Sequence, residues 1–134
     1  MAGIVGLEIK GLDNVFNNIN KVIAECVDLS KIGLEKVGDD ILRDSQIECP
    51  VSNKPTKGTL KRTGKKYTTS FSGFHVCEIK YGGPEAPYAL YVHEDLEAQH
   101  VPPTKAKFLE DPYNRHLSTF VAKIARELGP AFTK

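Results

Sequence analysis

The chain has little cysteine, and its few cysteines are poorly spaced for chemistry. Cys26, Cys49 and Cys77 are odd in number and far apart. That excludes a disulfide framework and a paired-cysteine metal site, and fits reduced thiols in a cytosolic setting. Net charge is equally scarce. A formal charge of +1 over 134 residues gives no global pull towards nucleic acid or an anionic membrane. Long hydrophobic runs are missing, the longest falling far short of the ~20 residues a membrane span needs. The opening "MAGIVGLEIKGLDN" lacks a basic start followed by a long apolar block, so no signal peptide is expected. No serine lies in a Gly-x-Ser-x-Gly elbow, and the adjacent glycines of "KYGGPEAP" lack phosphate-loop spacing. There is no internal repeat.

What is present fits one soluble domain: 40% of residues are hydrophobic and 26% charged, on a chain long enough for a single core. Residues 4–9 alternate like a short strand. From Leu12 the period changes. Leu12, Val15, Phe16, Ile19, Val22, Ile23 and Cys26 follow the i, i+3, i+4, i+7 spacing of an amphipathic helix. Asp28 or Ser30 is placed to cap a second helix running to about Glu48, with Leu34, Val37, Ile41 and Leu42 on its apolar side. Gly33 and Gly38 lower its propensity but can admit a close neighbour. Cys49-Pro50 ends it, since a residue before proline avoids the α region.

Residues 50–66, "PVSNKPTKGTLKRTGKK", read as an exposed, mobile loop. Two strands, Lys65 to Phe71 and Phe74 to Tyr81, then turn near Ser72-Gly73. Residues 88–97 read as either a short helix or a turn. Asp111 suits an N-cap and Pro112 a first helical position. Leu117, Phe120, Val121, Ile124 and Leu128 form another stripe, and Gly129-Pro130 reads as a stop. The fold class expected is α+β: a small antiparallel sheet with two N-terminal helices and one C-terminal helix packed on one face.

Two groups of residues invite a functional reading. "YALYVHEDLEAQH", residues 88–100, holds His93, Glu94 and His100. A helical zinc hydrolase motif needs histidines at i and i+4. These are seven apart, about 10 Å on a helix, too far for shared zinc–nitrogen bonds of about 2.1 Å. A loop could still bring them together, which keeps a metal-assisted hydrolase open beside the reading of surface or packing histidines. His75 and His116 have no ligand-spaced neighbour. The second group is the basic block. Lys54, Lys57, Lys61, Arg62, Lys65 and Lys66 occur with no acid among them. They make a nucleic-acid-binding module an alternative, although only Tyr67 is near for base stacking.

Taken in order, "CPVSNKPTKGTLKRTGKKYTTS", "IKYGGPEAPYALYVHEDLEAQH" and "AKFLEDPYNR" resemble the minor capsid and tail-completion proteins of tailed bacteriophages. The pattern "PYA-x-YVHE…H…AKFLE-x-P" is the most specific part, the Gly33-Leu34 pair also fits, and the likeness covers roughly residues 30–115. The extra Lys-Pro-Thr-Lys makes a longer loop here than relatives have. The resemblance implies a virion structural protein at the neck, present in the host cytoplasm during assembly. It implies a small α+β subunit in a homo-oligomeric ring, typically sixfold. Partners would be the head connector or stopper protein and the tail terminator or tail tube, with possible passing contact with DNA. It implies no catalysis, no cofactor and no metal. A closed ring needs two unlike adhesive patches on each copy. Tyrosines are enriched at interfaces, so Tyr81, Tyr88, Tyr91 and Tyr113 are candidates. The partner-facing set expected is Lys57, Lys61, Arg62, Lys65, Tyr88, Tyr91 and His93.

Overall fold

The computed structural model describes residues 10–52 and 57–132. In chain order the elements are α1 (Leu12–Glu48), α2 (Thr59–Arg62), β1 (Lys65–Phe71), β2 (Phe74–Lys80), α3 (Ala89–Glu94) and α4 (Glu110–Phe132). The class is α+β, with the N-terminal and C-terminal helices packed together. The strand expected over residues 4–9 lies outside the described residues.

The two expected N-terminal helices are one rod of 37 residues, about 55 Å long at 1.5 Å per residue. No helix boundary falls at Asp28 or Ser30. The Ser30 hydroxyl donates to the Val27 carbonyl at 2.7 Å, inside the helix it was expected to cap. The rod does end where Cys49 adopts extended backbone before Pro50. The basic block is not wholly loop either: Thr59–Arg62 form a helical turn, and Lys65 and Lys66 already belong to β1. Residues 88–97 resolve into the short helix α3.

The C-terminal helix starts one residue earlier than its cap signal. Asp111 sits within its first turn, where a negative charge suits the helix dipole. Pro112, also in that turn, lacks a donor the helix does not need there. Gly129-Pro130 does not stop it. The helix continues to Phe132, and Ala131, only 3% exposed, packs its last turn down.

α1 and α4 run antiparallel. Asp40 pairs with Lys123 at 3.2 Å, Asp44 with His116 at 2.7 Å and Glu48 with Arg115 at 2.7 Å. The ladder descends α4 as it ascends α1. Gly33 lets the helices meet closely, because an added Cβ there would stand 3.2 Å from the Ile124 Cα.

β1 and β2 form a two-stranded antiparallel sheet, in register from Lys65 opposite Lys80 to Phe71 opposite Phe74. Ser72 and Gly73 both have positive φ, 46° and 80°, the primed turn that suits strand twist. The hairpin lies on α1. His75, Cys77 and Ile79 point inwards and are half-buried. His75 Nε2 donates to the Val27 carbonyl at 2.8 Å, while its Nδ1 accepts from Ser70 Oγ at 2.7 Å.

The core gathers at the C-terminal end of α1. Cys49, Leu60, Ala86, Ala89 and Phe108 form its buried cluster, with Tyr81, Val92 and Leu109 against it. Every buried residue of α1 lies between Gly33 and Ser45. The first half of the rod extends beyond this core. Leu12, Val15, Phe16, Ile19 and Ile23 are 44–58% exposed. The apolar stripe is real, but among the described residues nothing covers it. No helix among the described residues is long and apolar enough to cross a membrane.

Candidate functional site

The "YVHE" and "AKFLE" segments meet around His93. Its ring packs edge-on against Phe108, with centroids 5.1 Å apart at 76°. Phe108, 1% exposed, takes Tyr81 in the same manner at 5.1 Å and 82°. Tyr81 reaches on to α1. Ser45 Oγ donates to the Leu42 carbonyl at 2.8 Å, so the Tyr81 hydroxyl donates to Ser45 Oγ at 2.6 Å. The chain Ser45–Tyr81–Phe108–His93 thus joins α1, the end of the hairpin, the loop before α4, and α3.

Both imidazole nitrogens of His93 are engaged. Nε2 accepts the backbone N–H of Glu110 at 3.2 Å, so the ring proton lies on Nδ1 and is donated to Glu94 Oε1 at 2.8 Å. That acceptor role satisfies a donor in the first turn of α4, as a cap does. Lys107 closes the cluster. It is clipped by a backbone bond from its N–H to the His93 carbonyl at 2.8 Å and adopts left-handed φ of 58°. Its ammonium pairs with Glu94 and, at 2.9 Å, with Glu110. Hydrogen bonds from Lys107 and His93 hold the Glu94 carboxyl below its ordinary value, while Glu94 and Glu110 hold Lys107 above its own.

Among the described residues, the one group whose ligand atoms lie close enough for an ion is His93, Glu94 and Glu110, within 4.8 Å of one another. The cation those carboxylates already face is Lys107, and His93 has no free lone pair. The chemistry of this set is that of a salt-bridged clasp. His100 is not part of it. His93 borders a groove between α1 and α4, whereas His100 lines a separate cavity of about 220 Å³ with Tyr88, Val92 and Leu60. The pairing of His93 with His100 considered from the sequence therefore does not form. Lys107 and Glu110, which complete the cluster, lie 13 and 16 residues after Glu94 in the sequence; a left-handed lysine and a helix start bring them back.

The groove is the larger concavity, about 500 Å³. Leu34, Val37, Gly38 and Ile41 of α1 make its floor. Cys77 and Ile79 of β2 form one wall, and Tyr113, His116, Leu117 and Phe120 of α4 the other. Its surface is mainly hydrocarbon. Burial raises the Cys77 thiol above its usual value and pushes Cys49 up to about 12, so both remain thiols, not nucleophilic thiolates, at neutral pH.

The other predicted residues are spread over the surface. Lys57, Lys61, Arg62 and Lys65 are exposed. Arg62 is tied inwards, donating to the Lys57 carbonyl at 3.0 Å and to Thr59 Oγ1 at 3.1 Å. Lys66 turns to Asp39 at 2.5 Å. Tyr88, at the start of α3, and Tyr91, within it, are exposed, while Tyr81 is partly buried against the core. Leu90, Tyr91, Leu96 and Val101, on α3 and in the segment after it, are each 72–80% exposed.

No family model matches this chain, and comparison with curated proteins and with solved structures finds no match.

Proposed function

We propose that this chain is a structural subunit of a tailed-phage virion, forming a ring at the neck that joins the head connector to the tail. The observation that carries the reading is the uncovered stripe of α1 from Leu12 to Ile23. A folded monomer rarely leaves a contiguous apolar face open unless a partner covers it. Further large apolar side chains stand exposed on α3 and just after it, at Leu90, Tyr91, Leu96 and Val101, and we take these as the second, unlike patch. Two different adhesive patches on one copy are what a heterologous ring requires. The likeness of residues 30–115 to tail-completion proteins supplies the setting.

The energetics favour assembly on a platform over tight association in solution. Completing the burial of five half-exposed apolar side chains contributes about 1 kcal/mol each. Association costs roughly 4–15 kcal/mol in lost freedom. One interface therefore sits near break-even, and the copy that closes a ring makes two at once. The subunit is expected to be mostly monomeric, or in a small oligomer, when free and to ring on its partner. Electron microscopy of particles lacking the protein tests this. DNA-filled heads beside detached tails support the joining role; normal infectious particles overturn it.

A further inference from the structure

We propose that the exposed stripe of α1 docks, as a helix, into the apolar groove of a second copy of this chain. The inference deepens the ring reading and rests on it only in requiring that copies associate.

Stripe and groove fit in shape. Leu12, Phe16, Ile19 and Ile23 recur at the spacing by which an amphipathic helix anchors itself in an apolar groove. The groove's floor and one wall are themselves helices, and its volume of about 500 Å³ lies in the range that accommodates several large apolar groups. At 100° per residue the stripe falls on the same side of α1 as Leu34, Val37 and Ile41. The uncovered face is thus a continuation of the groove floor past the point where the hairpin and α4 cover it.

Composition separates the two halves of the rod. Residues 12–24 carry only Asp13 and Lys21 as charges, and their polar side is largely Asn14, Asn17, Asn18 and Asn20. The second half is densely charged, and its ion pairs reach α4 and the hairpin at Asp40, Asp44, Glu48 and Asp39. Charge depletion is the compositional mark of an interface core.

Among the described residues the stripe cannot reach the groove of its own chain, and the occupant inferred is a second copy. Stripe and groove floor belong to one unbroken helix, and a straight helix cannot bend its own face back onto itself. The neighbour supplies the missing layer: each copy gives its stripe and receives one.

Cross-linking the full chain tests the pairing. Cys77 already lines the groove. In a Cys26→Ser background, Ile19→Cys with a short bis-maleimide, at a pH raised above neutral to offset the reduced ionisation of Cys77, should give a covalent species of two or more chains, lost when Cys77→Ala is added. Separately, Ile19→Asp and Leu117→Asp should each weaken self-association at least tenfold by sedimentation equilibrium, and mixing the two variants should restore a two-chain species through the one intact stripe–groove pair. Both positions are solvent-exposed, and an unchanged melting temperature verifies the folds. A cross-link indifferent to Cys77, or a Leu117→Asp chain that associates like the wild type, overturns the pairing while leaving the ring reading standing. A cross-linked pair that never grows beyond two chains, even on virions, sustains the pairing and overturns the ring. A chain monomeric at every concentration and without cross-link overturns the pairing.

Discussion

The Nε2 atom of His93 takes the backbone N–H of Glu110 at 3.2 Å, so a side chain from α3 closes the start of α4. His93→Ala removes that acceptor, the Glu94 contact and the edge-on packing on Phe108. The expected loss is about 2 kcal/mol of stability, read by urea unfolding. Because Lys107 already neutralises Glu94 and Glu110, zinc or EDTA should leave the wild-type melting temperature unchanged. A zinc-dependent rise that His93→Ala abolishes would show the cluster to be a metal centre.

The Ser45–Tyr81 bond, 2.6 Å long, should appear in a double-mutant cycle. Tyr81→Phe leaves fully buried Ser45 without that donor, and Ser45→Ala leaves the phenol without its acceptor. Each is expected to lose about 1–2 kcal/mol, with a coupling on the order of 1 kcal/mol.

Alkaline pH gives a second handle on the same region. Burial raises Tyr81 from 10.0 to about 12, and Cys49 from 9.0 to about 12. The unfolded chain ionises first, so it binds fewer protons than the folded chain through that window. Stability is therefore full below about pH 9 and falls as pH rises towards 12. Tyr81→Phe or Cys49→Ala should each flatten the decline, measured as the unfolding midpoint at successive pH values. An equally steep decline in both variants would place its origin elsewhere.

Gly38 lies under the hairpin, where an added Cβ would come within 2.6 Å of Cys77 Sγ and 3.0 Å of Lys66 Cδ. Gly38→Ala gains helix propensity but forces the hairpin off α1, for a net loss on the order of 1–2 kcal/mol. Adding Cys77→Ala removes the nearest atom and should recover most of it. A Gly38→Ala chain as stable as the wild type would mean that the hairpin yields freely.

Much of this architecture can be read from local pattern. The hairpin with its Ser72-Gly73 turn, the stop at Cys49-Pro50 and the last helix all depend on neighbouring residues, and all are found, although Leu117 and Val121 of the last helix's stripe stay exposed. The misses have tertiary causes. Ser30 looks like a cap until its hydroxyl turns back to Val27. Gly129-Pro130 looks like a stop until Ala131 is packed. At the candidate site, His93 and Glu94 stand out in sequence, but the groups that settle their role, Lys107 and Glu110, arrive from beyond the Pro102-Pro103 break. Periodicity identified the Leu12–Ile23 stripe as apolar but carried no information on whether this chain would cover it.

The basic segment divides into structural and free cations. Arg62 is bonded to Lys57 and Thr59, so Arg62→Ala should loosen the α2 turn by about 1 kcal/mol. Charge reversal at the exposed Lys57, Lys61 and Lys65 should leave the melting temperature within a degree or two of wild type. If these three lysines also serve nucleic acid, the reversed chain loses a salt-dependent affinity for duplex DNA that the wild type shows; equal and negligible binding by both removes the nucleic-acid alternative.

α1 is uninterrupted from Leu12 to Glu48, so one hydrogen-bonded helix joins the exposed tip to the core. In the ring proposed above, a neighbour holding the far tip would therefore also bias the tilt of the whole subunit. A kink introduced near Val27 would leave the exposed stripe and the groove intact and still change the angle between them.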